Sequence, residues 1–382
     1  MKFFHISDLH IGKTVNGFLM IEEQKHAFEQ IIEYIKTESP DAVLIAGDVY
    51  DKAIPSTEAV RVFDDFITTL AQLDTAVILI SGNHDSPERL NFASRLLSNH
   101  RLFFYGAFDG SVQRIALSDK YGAVNFYLLP FVKPASVRGM FGKREIESHE
   151  NAVAAALEAT DVDYTVRNVL VSHQFYTKAG VDSVRSESEL DPVGGLDAVD
   201  AGLVEQFDYV ALGHLHRNQS IGSEHIRYCG SPIKYSFSEW QHNKSVTVVE
   251  LKEKGKRMIS TLPFVPIHDM REIKGKYEEL TSDEIVSAAN KEDYLRVVLT
   301  DEDEIIDPMG KLRSVYPNVM NLVFENSRTS IDLSTITTDT ETVKKLTPYE
   351  LFDEFFRSMQ GTEMSAEQAE IVRELLEMED EK

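Results

Sequence analysis

The chain has 382 residues, enough for two or three domains, with a formal net charge of -24 and a single cysteine. The charge argues against strong autonomous binding to nucleic acid, and Cys229, in "RYCGSP", excludes an internal disulfide and reads as a buried structural thiol. Asp8 and His10 interrupt the N-terminal stretch, and no apolar run reaches a membrane span, so a soluble cytoplasmic protein is expected.

In chain order, "KFFHIS" reads as a buried strand that runs into Asp8-Leu9-His10. A helix over residues 21–38 follows, with Ile21, Phe28, Ile31, Ile32 and Ile35 on one face. "AVLIAG" is a second strand, ending at Asp48. After Pro55-Ser56 a helix over 56–73 carries Val60, Phe63, Ile67 and Leu70. "VILISG" is a third strand, broken off at Asn83-His84-Asp85, with Asp85 or Ser86 as cap of a helix opened by Pro87. "NVLVS" leads to His173, and "YVALG" to His214-Leu215-His216. Residues 244–251 and 257–265 read as strands that close a sandwich. Strand alternating with helix predicts an α/β sandwich, whose strands deliver their carboxyl ends to one ligand-binding edge.

Five times, then, an apolar run stops at a small residue followed by metal-ligand types. One histidine after a strand is usually a hydrogen-bonded core or turn residue. Five such endings on one edge point instead to a centre. The set is Asp8, His10, Asp48, Asn83, His173, His214 and His216. Imidazole, carboxylate and amide oxygen suit manganese, iron or zinc rather than calcium, and seven ligands suit two ions rather than one. Two divalent cations around a shared carboxylate trap phosphate and activate water at neutral pH. "GKT" at 12–14 is no phosphate loop, because Ser7 stands where its first glycine is needed.

The words "DLH", "GD", "GNHD", a lone "H" and "GHLH", in that order, resemble the calcineurin-like metallophosphoesterases. The longer words "FFHISDLHIGK", "AGDVYDKAIPS", "SGNHDSPERL", "VSHQF", "ALGHLHRNQ" and "YCGSPIKYSFSE" resemble, within them, the bacterial SbcD nuclease-subunit family. The resemblance implies a β-sandwich flanked by helices. It implies one ion on Asp8, His10, Asp48 and His216, and a second on Asp48, Asn83, His173 and His214, most suitably Mn2+. It makes His84 the catalytic histidine, with Asp85 expected to orient its imidazole. Archaeal and eukaryotic relatives carry a histidine three residues after the bridging aspartate; here Asp51 stands, and a supporting or turn role is expected. The implied activity is DNA hydrolysis, exonucleolytic on double-stranded ends and endonucleolytic on single strands or hairpins, with an SbcC-like SMC-type ATPase in repair and recombination. The implied assembly is a homodimer through helices over 56–73 and 87–97, and a heterotetramer with the ATPase.

The nuclease domain is expected over 1–265. Lys133, Arg138, Lys143 and Arg144 could touch a DNA backbone or only line a solvated loop. "YLRVVLT" and "VMNLVFE", with helical pieces at 281–290 and 308–315, predict a small α+β capping domain over 266–326. A Ser/Thr/Asp-rich linker follows over 327–343. Thr347, Pro348 and Glu350 open a helix with a capping box, bearing Leu351, Phe352, Phe355, Phe356 and Met359 and ended by Gly361; Ser365 and Gln368 open another, bearing Ile371, Val372, Leu375 and Leu376. Two short amphipathic helices bury little alone, so 344–382 is expected to dock on the ATPase, the alternative being packing on its own chain. Two rival functions stay in view: hydrolysis of small phosphodiesters or nucleotides on the same scaffold, and a metal-stabilised scaffold for the ATPase.

Overall fold

The computed structural model describes residues 1–142, 144–180, 184–189, 197–326, 347–360 and 363–380. The expected linker, Lys143 and Gly361 lie outside the described residues. Two compact units divide the chain, Met1–Asp269 and Met270–Lys382.

The first unit is built on two six-stranded sheets. One runs Arg257–Pro263, Ser245–Leu251, Lys2–Ile6, Ala42–Ala46, Ala76–Ile80, Leu102–Tyr105; its last four strands are parallel and the first two antiparallel. The other runs Gln219–Ile221, Ser223–Tyr228, Tyr209–Leu212, Arg167–Ser172, Gly122–Leu129, Gln113–Asp119, with parallel pairing at its centre. Alternate residues of each strand face opposite ways. Phe3, Leu44, Ile78, Phe126, Val171 and Tyr209 therefore fill the space between the sheets. Phe4, Ile6, Val43, Ile45, Val77 and Leu79 face outward against the helices Ile21–Glu38 and Thr57–Ala71. The outer face of the second sheet is covered by His149–Glu158.

Both faces of the parallel strands are buried, which is why "AVLIA" and "AVILI" are apolar without interruption. His5 is an exception in the strand Lys2–Ile6. It lies wholly between the sheets, bonded through Nδ1 to the Tyr209 hydroxyl at 2.9 Å, and burial lowers its pKa to about 3.

The helix Thr57–Ala71 starts where Ser56 accepts the amide of Ala59 at 3.1 Å, a cap that contributes about 1 kcal/mol. Its buried stripe is Ala59, Val62, Phe63, Phe66, Ile67 and Leu70, whereas Val60, expected on that face, is exposed. Phe66 stacks on Phe28 at 4.5 Å and ties the two outer helices together. The expected helix over 87–97 is instead two four-residue helices, Pro87–Leu90 and Ser94–Leu97, broken at Ala93 with φ of 60°.

Glu23 accepts the amides of Ile267 and His268 at 3.0 and 3.1 Å, which ties the segment after the strand Arg257–Pro263 to the first unit. The second unit holds a three-stranded parallel sheet, Met270–Gly275, Tyr294–Leu299 and Val319–Phe324, packed through Leu295, Val297, Leu299, Leu312 and Tyr316. The strand Met270–Gly275, "MREIKG", gives no apolar run and escapes sequence reading. The helices Pro348–Gln360 and Ala366–Asp380 follow, each with the expected reciprocal cap: Thr347 with Glu350, and Ser365 with Gln368.

Candidate metal centre

Strand ends alone do not aim a side chain; the backbone just beyond them does. Asp8, His10, Asp48 and His214 all have positive φ, 54°, 42°, 50° and 106°. Such a conformation costs a non-glycine residue on the order of 1–3 kcal/mol and persists where the surroundings enforce it. The enforcement is visible. The Asp8 amide bonds to the Gly47 carbonyl and that of His10 to the Asp48 carbonyl, both at 3.0 Å. Gln24 accepts the Gly12 amide and donates to the His10 carbonyl at 2.7 Å, pinning the first loop from behind.

The small residues before the ligands are there for space. A Cβ on Gly82 would stand 2.1 Å from Asp48 Oδ1, and one on Gly47 would stand 2.4 Å from His173 Nδ1. One on Gly213 would meet the Ala46 carbonyl at 2.1 Å.

Five loops from both sheets meet as a result. His173 Nε2 is 3.3 Å from Asp48 Oδ2, 3.9 Å from Asp8 Oδ1 and 3.1 Å from Asn83 Oδ1. Asn83 Oδ1 is also 3.0 Å from His214 Nδ1. His10 Nε2 is 3.7 Å from Asp48 Oδ2 and 3.1 Å from His216 Nε2. Within this cluster three groups each bring their ligand atoms within 4.8 Å: Asp8, His10 and His216; Asp8, Asp48 and His173; and His10, Asp48 and His84. Every residue expected from the sequence is at this rim.

The donor set fits divalent cations. His173 donates Nδ1–H to the Ala46 carbonyl at 2.6 Å, and His216 Nδ1 faces Ser188 and Glu239 at 2.8 and 3.2 Å. In both rings the hydrogen bond at Nδ1 reserves Nε2 as the atom aimed into the cluster, where a bound cation would take the place of its proton, the usual arrangement of a ligating imidazole. Burial lowers His214 to about 3 and His10 well below its ordinary value, so both are neutral. Burial also opposes charge on His173, but the carboxylates of Asp48 and Asp8 raise it to about 9. The cluster thus draws positive charge. Asp48 is held well below the carboxylate range despite its burial, mainly by His173.

His84 donates from Nδ1 to the carbonyl of Asp51 at 2.9 Å, and its amide bonds to Asp48 Oδ1 at 2.8 Å. The Asp85 carboxylate accepts the amides of Val49, Tyr50 and Gly82 at 3.1, 3.0 and 2.9 Å. The expectation that Asp85 orients the His84 imidazole is therefore corrected. Asp85 clamps two ligand loops together, because three backbone donors outcompete one ring nitrogen. Burial and the Asp48 charge nonetheless raise its carboxyl to about 6. The role of orienting His84 belongs to the Asp51 main chain.

Sequence reading missed Glu239. It is wholly buried, bonded to His216, to Ser188 at 2.6 Å and to Lys244 at 2.6 Å. Burial opposes its charge, yet Lys244 and His216 hold it below the carboxylate range. A glutamate beside an aromatic in "SFSEW" was the available signal, and it is a faint one. Of the basic positions named above, Arg144 is paired with Glu158, and Arg138 bonds the Ile146 carbonyl at 3.4 Å. Cys229 is buried as expected, and burial pushes its thiol well up.

Comparison with known proteins shows the family. The profile described as "Calcineurin-like phosphoesterase" matches residues 1–218, and "SbcD_C: Type 5 capsule protein repressor C-terminal domain" matches residues 266–360. The SbcD subunit of nuclease SbcCD from Staphylococcus epidermidis is 33% identical over 98% of both chains, and its counterpart from Staphylococcus saprophyticus is 32% identical over the same shares. Among solved structures, a dimetal phosphatase from Danio rerio aligns with a TM-score of 0.40 at 13% identity, covering 68% of this chain and 95% of that one. The chain belongs to the calcineurin-like phosphoesterases and, within them, to the family of SbcD nuclease subunits, enzymes that hydrolyse phosphodiesters with divalent metal ions.

Proposed function

We propose that the rim holds two Mn2+ ions about Asp48 and that the chain cleaves DNA there. Cleavage would be exonucleolytic at double-stranded ends and endonucleolytic on single strands and hairpins. The observation that supports this most is the convergence of five loops distant in sequence, which bring seven other side chains around the buried Asp48 carboxylate. Asp8, His10, Asp48 and His216 hold one ion; Asp48, Asn83, His173 and His214 hold the other. When bound, the ions supply activated water at neutral pH and offset charge that develops on the phosphate.

The protein's own groups do the rest. Glu239 and the Ala46 carbonyl keep two imidazoles in the ligating tautomer. With Nδ1–H committed to the Asp51 carbonyl, His84 has Nε2 left, which in the doubly protonated ring gives its proton to the departing oxygen.

The partner in this reading is an SbcC-like SMC-type ATPase, bound through residues 344–382. Phe355, Ile371 and Leu375 are 58%, 57% and 59% exposed, too much apolar surface for two solvated helices. A homodimer uses the surface around Phe92 and Leu96, which are exposed where Phe63, Phe66 and Leu90 are core. Two copies of each chain make a heterotetramer.

The test is cleavage of end-labelled duplex DNA with Mn2+ by the full chain and its His84→Ala variant, each with and without the ATPase. We expect a loss of about 10²–10⁴-fold with Mn2+ still bound. Unchanged cleavage would overturn the histidine's role. Complex formation that survives deletion of residues 344–382 would overturn the docking role.

A further inference from the structure

We infer that Lys13 is the strand-reading residue of this centre, its ammonium binding a backbone phosphate next to the scissile one. The inference rests on the hydrolase reading above and names what lets that site prefer a nucleic-acid strand over an isolated phosphodiester.

Lys13 lies in the loop that delivers the first two ligands, its amide bonded to the His10 carbonyl at 3.0 Å. Its Nζ is 2.9 Å from Asp51 Oδ1, and that same oxygen is 3.9 Å from His10 Nδ1. The ammonium therefore stands within about 7 Å of the His10 ring, and it shares Asp51 with the His84 imidazole, which bonds to the Asp51 carbonyl. An ammonium has three N–H donors. Among the described residues Asp51 is its only hydrogen-bond acceptor, and the Tyr235 ring lies 5.8 Å away. Two donors are left, on a side chain only 15% exposed and so held at the edge of the buried cluster. The Asp51 partner fixes the ammonium where a free lysine would wander. On a chain of net charge -24, a fixed cation beside the centre counteracts repulsion of a polyanion.

The experiment compares the full chain with Lys13→Gln and Lys13→Arg on two substrates with Mn2+: a single-stranded oligonucleotide and bis(p-nitrophenyl) phosphate, which carries one phosphodiester and no neighbour. We expect Lys13→Gln to lower kcat/KM on the oligonucleotide at least tenfold more than on the small diester. Its slope of log kcat/KM against log salt should shrink by about one, and Lys13→Arg should restore most of both. Equal losses on the two substrates would make Lys13 a structural support of the His10 loop and overturn the inference. So would equal activity of all three proteins. A wild-type chain that cleaves neither substrate would overturn the hydrolase reading itself.

Discussion

The rim of the sandwich and the C-terminal helices solve opposite problems. At the rim, local rules are broken: four ligand residues adopt left-handed backbone, and carboxylates and imidazoles are buried together. In the helices Pro348–Gln360 and Ala366–Asp380 local rules are obeyed, with a reciprocal cap at each start, yet large apolar side chains face solvent. Strain and buried charge mark a place where chemistry is built inward. Orderly helices with unburied aromatics leave apolar surface that the proposed ATPase partner would cover.

The comparison breaks first at Gly82. Gly82→Ala drives a methyl into Asp48. It should cost at least 100-fold in activity and in Mn2+ affinity and also lower the unfolding temperature, because the methyl would stand 2.5 Å from the Asp48 amide nitrogen as well. Activity within threefold of wild type would show that the rim tolerates movement it is argued to forbid. Next is Glu239→Gln, which removes the charge behind His216. Mn2+ affinity should fall 10–100-fold in a binding titration, while a purely packing role would leave it unchanged.

Smaller is the effect of Asp119→Asn, away from both regions, where Asp119 accepts from Arg167 Nη2 at 2.5 Å. Unfolding measurements should show a loss of about 2 kcal/mol at neutral pH. Arg167 depresses the Asp119 carboxyl, so its stabilisation is full above the ordinary carboxylate range and fades as pH falls below it. The gap between wild type and variant should therefore close in acid. A gap constant from pH 7 to pH 3 would contradict that sign. Smallest in stability, and largest in assembly, is Phe352→Ser with Phe355→Ser. Both side chains are already exposed, so unfolding should shift by less than about 0.5 kcal/mol while the ATPase no longer copurifies. A marked loss of stability would mean that the helices pack on their own chain.

How much of this could be read from the sequence follows from the same contrast. Buried parallel strands write themselves as unbroken apolar runs, and a capping box occupies four residues, so "AVILI" and "TPYE" were legible. The seven ligand residues expected at the centre, and the histidine expected beside them, are all at the rim, because strand ends in such a sheet share one edge. What stayed hidden was set by backbone. Neighbourhood in sequence suggested that Asp85 would orient His84, whereas the turn sends its carboxylate to three amides. Glu239 serves His216 from 23 residues away, and Gln24 holds His10 from 14. Neither spacing is periodic. Ala93, in left-handed backbone, splits a helix that the pattern of residues 87–97 would continue.

In the proposed reading one aspartate joins two cations. Anomalous diffraction from crystals of the full chain grown with Mn2+ tests it directly. Two peaks about 3.5–4 Å apart are expected, both within bonding distance of Asp48. A single peak, or a pair that leaves Asp48 uncoordinated, would contradict it.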